Sequence, residues 1–407
     1  MFLSQLQLTN FRMFEHLEFK LPSGPLIILG NNGQGKTSIL EAIYLLAISR
    51  AVRAENEREV VNWKTIDSTD PTLVDAIVQG TEGRTRIIIG YQTIKKDINE
   101  QNNSSITDLY LVKKEIRIGG VKKSASSLIG FVKAVLFSAQ DINLVVGPPS
   151  TRRKFLDILI SQSSPKYLKS LQKYQRGLKQ RNSILRAIKN GVSDYSELDF
   201  WDDLLIMEGI TLMDERLEAI AEIGKNASNF LYDLTNTNEK LSVVYCPTIE
   251  LLNVPDITRE KFRNALQKSR QRDIQVGTTQ FGPHRDDFNL LVNNADMRLF
   301  SSRGQARTIA LALRLAEASY ISSPQSEPLI LLDDILSELD KPRRTKILQT
   351  ILFYKQPIIT TTSLADFEES FLQVANIFEV REGHIALYKG SIEMEKTNGD
   401  FEMGIDQ

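Results

Sequence analysis

The chain has a single cysteine, Cys246, in 407 residues. One thiol cannot form an internal disulfide, and such scarcity fits a reducing compartment. Histidine is nearly as rare. His16, His284 and His384 lie far apart, so no Cys/His metal pattern can be read. Long apolar runs are missing as well: no stretch approaches the ~18 consecutive residues of a membrane span. The start, Met1-Phe2-Leu3-Ser4-Gln5, lacks the basic segment and apolar run of a signal peptide. A soluble, cytoplasmic protein is expected. Neither charge is in surplus, since 50 Lys and Arg oppose 51 Asp and Glu. That excludes binding polyanions by bulk charge and moves the question to where the charges lie.

What remains is an ordinary globular composition, 42% hydrophobic and 25% charged, long enough for two or three cores. Residues 2–8 and 14–21 read as strands meeting near Asn10-Phe11-Arg12, and Pro25–Leu29 as a buried strand. An apolar helix is expected at Ser38–Ser49, and β-rich runs fill 73–137, interrupted by a polar loop at Gln92–Thr107. After Gly147-Pro148-Pro149-Ser150 the character turns helical. Leu168, Leu171, Leu178 and Leu185 form one stripe, and Leu198, Trp201, Leu205, Leu212 and Leu217 belong to a second helix beyond a turn at 191–194. Strand-like runs return at 241–251 and 288–300. Helices at 304–321, 342–353 and 364–375 then alternate with strands at 328–332 and 357–361, the order of an α/β fold with a parallel sheet. The residues after Gly390 carry five acids, one lysine and no apolar period, so they are expected to be disordered.

Gly30-Asn31-Asn32-Gly33-Gln34-Gly35-Lys36-Thr37, followed by Ser38, matches the phosphate-binding loop and has its required context, an apolar strand before and a helix after. The glycines let backbone N–H groups turn in around phosphates, and the helix N-terminus adds partial positive charge. Lys36 is expected to reach the outer phosphates and Thr37 to ligate Mg2+. Such a loop needs an acid at a neighbouring strand end. Leu329-Ile-Leu-Leu332 runs into Asp333 and Asp334, where α/β sheets place ligands. Asp333 is expected on the metal side, and Asp334 to orient or deprotonate the attacking water. Lys36 and Asp333 lie 297 positions apart, so the nucleotide core is expected to be assembled from both ends of the chain. No Asn-Lys-x-Asp motif reads guanine, which weakly favours ATP over GTP.

Ser301-Ser302-Arg303-Gly304-Gln305 heads the helix before the acidic strand. It resembles the signature of ABC-type ATPases, with Ser302, Gly304 and Gln305 in register and Arg303 replacing a glycine. Asn10-Phe11-Arg12 and Ser337-Glu-Leu-Asp340 are similar to segments of SMC-type heads. Phe281-Gly-Pro-His284-Arg285-Asp286-Asp287, Arg152-Arg153-Lys-Phe-Leu-Asp157, Ser302–Thr308 and Thr360–Thr362 resemble those of the RecF family of bacterial recombination-repair ATPases, in the same order along residues 2–388. The resemblance implies an ABC-type ATPase head, with its ATPase lobe in 1–150 and 271–390, a helical lobe at 151–270 and a tail at 391–407. It also implies that Arg12 touches nucleotide phosphates, that Gln140 links Mg2+ to the helical lobe, that Asp340 sits at a dimer seam and Thr362 at the switch position. Gln140 stands where many relatives carry an acid. The implied function is slow ATP hydrolysis by an ATP-dependent homodimer that grips duplex or gapped DNA. RecR and RecO would be partners and RecA loading the output. A transporter ATPase subunit, an SMC-like structural head and a non-hydrolysing scaffold are the alternatives. His284 with Asp286 and Asp287 imitates a metal cluster, but a hydrogen-bonded turn is the preferred reading because no further ligand is suitably spaced.

Charge is unevenly spread. Arg152–Lys189 holds eleven Lys or Arg and one acid, whereas Glu197–Glu222 holds nine acids and one Arg. Two helices that neutralise one another and a basic helix that faces phosphates are both compatible with this. Contact with DNA is expected from Lys166, Lys169, Lys173 and Arg176, one stripe of the basic helix, and from Arg53, which matches a basic position in the RecF family.

Overall fold

The computed structural model describes residues 1–54, 56–65, 70–80, 83–95, 110–252, 254–324 and 326–388. Most of the expected loop at Gln92–Thr107 and the expected disordered tail lie outside these residues.

Strands β1 (Phe2–Phe11) and β2 (Phe14–Lys20) form a hairpin in which Phe11 faces Phe14. Asn10 and Arg12 take positive φ at its turn. Strand β3 (Leu26–Leu29) leads through the glycine-rich loop into α1 (Lys36–Ile48). β4 (Thr72–Gly80), β5 (Gly83–Lys95), β6 (Tyr110–Ile118) and β7 (Val121–Lys123) extend the hairpin into an antiparallel sheet ordered β2-β1-β4-β5-β6-β7. Alternation along these strands turns Leu6, Leu8, Val74, Ala76, Ile87 and Ile89 inward, where they pack with Ile39, Ile43 and Leu46 of α1. After α2 (Ala125–Leu128) come β8 (Ala134–Ser138) and α3 (Asn143–Val146).

The helical region follows: α4 (Pro149–Ser163), α5 (Pro165–Lys189) and α6 (Glu197–Thr235). At 1.5 Å per residue, α6 is about 58 Å long. Leu168 and Leu185 are buried as the stripe predicts. Tyr167, Tyr174, Arg181 and Ile188, seven apart, are buried beside them. Leu217 is exposed, and the buried side of α6 continues through Ala219, Ile220 and Ile223 instead. Next are β9 (Leu241–Cys246) and α7 (Pro255–Val276), a helix the sequence reading does not anticipate. It runs unbroken through position 270, where a division between lobes is expected. β10 (Asp287–Val292) and β11 (Ala295–Asp296) complete a small sheet with β9.

Helices α8 (Met297–Phe300) and α9 (Arg303–Ile321) lead to β12 (Leu329–Asp333). Then follow α10 (Lys341–Ile351), β13 (Pro357–Thr361), α11 (Glu369–Val374), β14 (Asn376–Arg381) and β15 (His384–Leu387). The helix expected at 364–375 is interrupted, because Phe367 is extended between a short turn at Leu364–Asp366 and α11.

The second six-stranded sheet has the order β15-β14-β3-β13-β12-β8 and is parallel except at β15. Its central strands read Leu26-Ile-Ile, Ile330-Leu-Leu and Ile358-Ile359, apolar without alternation because both faces are covered. One face packs with α1, the other with α4 and α9. Strand β3 comes from the start of the chain and β12–β14 from its last quarter, so the core is assembled from both ends. Among the described residues no helix is long and apolar enough to cross a membrane.

Candidate functional site

Sheet order decides what meets at the site. Strand β13 lies between β3 and β12, so the glycine-rich loop, Thr360 and the acids after β12 share one carboxyl edge. Gly35 has φ 100°, and a Cβ there would meet the Phe14 ring at 2.6 Å and Met13 sulfur at 2.7 Å. Only glycine turns the loop so close to the first hairpin. The Gly30 N–H donates to Thr361 O at 3.1 Å, and Gln34 accepts from the Glu382 N–H at 2.6 Å. The loop is thus tied to β13 on one side and to the β14–β15 turn on the other.

A cavity of about 390 Å³ opens over the loop. Asn31, Asn32, Gly33, Gly35, Lys36, Thr37 and Ser38 line it, with Arg12, Glu41, Arg53 and Asp334. The Lys36 ammonium donates to Gly30 O at 2.7 Å and lies 3.4 Å from Asp334 Oδ2. Thr37 Oγ1 donates to Asp333 Oδ1 at 2.8 Å, closing the 296-residue separation between these two groups. Asp333 is buried and also accepts from Thr360 Oγ1 at 3.1 Å and from Arg53 Nη2 at 2.6 Å. Asp334 adopts φ 51°, a left-handed backbone that Asp tolerates better than most residues. Its N–H donates to Thr360 Oγ1 at 3.0 Å.

Arg12 faces the cavity, but its guanidinium is already forked onto Glu41, with donor distances of 2.9 and 2.7 Å. Gln140 is exposed in the turn after β8, two residues beyond Ser138, which is in register with Asp333. Thr362 is exposed just beyond β13. It is Thr360, two residues earlier, whose hydroxyl touches Asp333. The sequence signal for Thr360, Glu41 and Arg53 was slight, because each is defined by a partner distant in the chain.

Ser302, Gly304 and Gln305 stand apart from this cavity. Ser302 caps α9, accepting from the Gln305 N–H at 3.2 Å, while the Gln305 side chain accepts from the Ser302 N–H at 3.1 Å. Gly304 has nothing within 4 Å of the place a Cβ would take, so the helix start is open to approach. Asp340 caps α10 and pairs with Arg343 at 2.8 Å.

The cations proposed for DNA fare unequally. Arg53 belongs to the nucleotide cavity, because the chain turns back after Ser49 and carries its guanidinium to Asp333. Lys173 donates to Glu208 at 2.6 Å and Lys166 lies 3.2 Å from Glu215, so these two neutralise α6. Lys169 and Arg176 are exposed and make no ion pair among the described residues. Arg152 and Arg181 are buried, paired with Asp287 and with Asp202 and Asp273. His284, Asp286 and Asp287 are engaged within the fold: His284 Nδ1 shares a 2.7 Å hydrogen bond with Tyr174 OH, and Asp286 accepts from Tyr245 OH at 2.6 Å.

Residues 2–386 match the model of the RecF/RecN/SMC N-terminal domain. The DNA replication and repair protein RecF of Bacillus mycoides (strain KBAB4) is 34% identical over 392 residues, 95% of this chain and 98% of the relative. The chain belongs to the RecF family. RecF of Bacillus cytotoxicus is 34% identical over the same share of each chain. Among solved structures, the recombination mediator protein RecF–ATP of the RecFOR pathway superposes with a TM-score of 0.83 at 31% identity, covering 95% of this chain and 97% of that one. A Smc head bound to the C-winged helix domain of ScpA, 13% identical with a TM-score of 0.51 over 97% of this chain and 98% of that one, shares the fold alone. The family's ATPase head and its place in DNA replication and repair agree with the loop, acids and capped helix assembled above.

Proposed function

We propose that this protein is an ATP-dependent DNA-binding protein of replication and recombinational repair, acting in the cytoplasm as a homodimer that ATP closes and hydrolysis opens. The observation that carries this reading is the 2.8 Å hydrogen bond between Thr37 and Asp333, which joins the phosphate loop to the acidic strand end in the arrangement a nucleotide-hydrolysing site needs. Lys36 binds the outer phosphates, aided by the loop N–H groups and the start of α1. Thr37 and Asp333 offer adjacent hard oxygen donors that fit Mg2+, with Gln140 near the same strand ends. When bound, the cation would neutralise charge on the phosphates. Asp334 orients the attacking water and Thr362 completes the polar edge beyond β13. Arg12 stands at the cavity wall for the phosphates.

The open, capped start of α9 supports a role between subunits. Ser302, Gly304 and Gln305 of one copy meet the outer phosphate held by the other copy's loop, and Asp340 flanks that seam. Closure aligns basic surfaces on duplex or gapped DNA, and slow hydrolysis releases it. RecR and RecO are the partners this reading implies, with RecA loading as the output.

Asp334→Asn tests it. Single-turnover ATP hydrolysis should fall by at least tenfold, while sedimentation with ATP should show a dimer that persists, with and without duplex DNA. Wild-type hydrolysis by the variant would overturn the role of Asp334, and a chain that stays monomeric with ATP would overturn the switch.

A further inference from the structure

The family match ends at residue 386. Residues 389–407, outside those described, follow it, and their sequence is patterned. Phe401, Met403 and Ile405 alternate with Asp400, Glu402, Gly404 and Asp406. Alternation of this kind gives an extended segment one apolar and one acidic side.

A cavity of complementary chemistry, about 450 Å³, lies at the far end of α1, between that end and helices α4 and α5. Its walls are largely aliphatic, among them Ile48, Ile158, Leu171 and Leu178. One polar group is left over inside. Ser161 lines the cavity, is 6% exposed, and its Oγ has no hydrogen-bond partner. Buried hydroxyls are seldom left so, and the backbone of an incoming segment supplies both donors and acceptors. The rim is cationic. Arg50 and Lys154 line it and make no ion pair among the described residues. Burial lowers the Lys154 ammonium and Arg50 lowers it further, so the two charges are neighbours. Lys179, exposed and also without an ion pair among the described residues, follows the wall residue Gln175 by one turn of α5. The one carboxylate on the wall, Asp157, is already taken by Tyr167 OH at 2.5 Å and Arg216 at 2.8 Å. Cations gathered without an acid attract an anionic partner, and aliphatic walls favour one that has apolar side chains to bury.

The segment is long enough to arrive there. Strand β15 runs antiparallel to β14 and ends beside its start, where the Tyr388 N–H donates to Ile377 O at 2.9 Å. That is the amino edge of the parallel strands, and the cavity lies at the same edge. The Ala134 N–H, at the start of β8, donates at 2.9 Å to Gln162, the neighbour of Ser161. β15 and β8 are the outer strands of the six, five spacings or about 24 Å apart. Thirteen residues lead from Tyr388 to Phe401 and span about 43 Å when extended. We propose that residues 400–406 dock in this cavity of their own chain. Phe401, Met403 and Ile405 meet its aliphatic walls, and Asp400, Glu402 and Asp406 meet Arg50, Lys154 and Lys179. The docked segment keeps those cations from other polyanions. This shielding rests on the DNA-binding function proposed above; the docking does not.

Hydrogen exchange of the full chain, read by mass spectrometry over residues 398–407, tests the docking. Exchange there should be at least tenfold slower than in a synthetic peptide of the same sequence, at any protein concentration. It should quicken in about 1 M salt, which screens the rim pairs. Gln175→Trp, at an exposed position on the wall, fills the cavity and should return the segment to peptide-like exchange. So should Phe401→Ser combined with Met403→Ser, which lie outside the described fold and should leave ATP binding unchanged. Both variants keep the chain's charge, so each should bind a blunt duplex with ATP about threefold more tightly than the wild type at low salt. Peptide-like exchange in the wild type, or protection that Gln175→Trp leaves intact, would overturn the proposal. Protection that grows with protein concentration would overturn docking within one chain and assign the cavity to a second copy's segment. Duplex affinity unchanged in both variants would overturn the shielding. Failure of wild type and variants alike to bind DNA with ATP would remove the function proposed above, while exchange still decides the docking.

Discussion

The nucleotide cavity and the helical hairpin both hold cations against acids, yet the pairs differ in kind. In the cavity, Lys36 and Arg53 lie on Asp334 and Asp333 at an open wall, where phosphates can take the cations over. In the hairpin, Arg181 is wholly buried between Asp202 and Asp273, and Lys173 closes onto a buried Glu208. Those pairs join α5 to α6 and α7. The same residue types thus serve exchange in one place and attachment in the other, and only their surroundings tell them apart.

That contrast can be broken from either side. Arg181→Leu leaves the buried Asp273 without its cation and Asp202 with Arg270 alone, and should cost about 3–5 kcal/mol, read as a lower urea midpoint, while folded protein still binds ATP. A loss below about 1 kcal/mol would show that the pair is not an attachment. Lys36→Met should weaken ATP binding by on the order of 100-fold, about 3 kcal/mol, with little change in the unfolding midpoint; fluorescent-nucleotide titration measures the first. His284 sharpens the comparison through pH. Burial pushes its imidazole down to about 4, so the unfolded chain binds the proton more readily. The neutral ring's contribution is complete above its ordinary value near 6.5 and is lost as pH falls from there to about 4, up to roughly 3 kcal/mol in all. His284→Gln should flatten that part of the stability curve, and an unchanged curve would exclude the ring. The smallest effect belongs to Lys173→Gln, below about 1 kcal/mol because the lysine is half exposed.

The sequence made the parallel strands and the phosphate loop readable because their signals are local. Leu26–Leu29 and Leu329–Leu332 are unbroken apolar runs, and Gly30–Thr37 is a contiguous motif with the right flanks. Helix α7 was not readable. Among the described residues, Phe262, Leu266 and Ile274 are the buried apolar side chains that anchor it in cores, with Ala265 beside them, and Arg263 and Arg270 pair with acids of α6. No apolar period survives that arrangement. The site shows the same division. Lys36 and Asp333 stood out as residues in motifs, whereas Thr360, Glu41 and Arg53 acquire meaning only from partners that sheet order brings alongside. Arg53, Lys166 and Lys173 each meet an acid that charge counted along the chain does not reveal, because neighbouring elements supply it.

The central sheet also sets a clock for the protein's birth. Strand β3 and its loop leave the ribosome early, but β13, the strand that must lie beside β3, comes more than 300 residues later. At roughly 5–20 residues per second, that is about 15–60 s of translation. Throughout it the apolar strand and the phosphate loop have no finished sheet to join. A nascent chain therefore lacks the joined phosphate loop and acidic strand end, and its strand β3 stays unpaired on that side until β13 has been made.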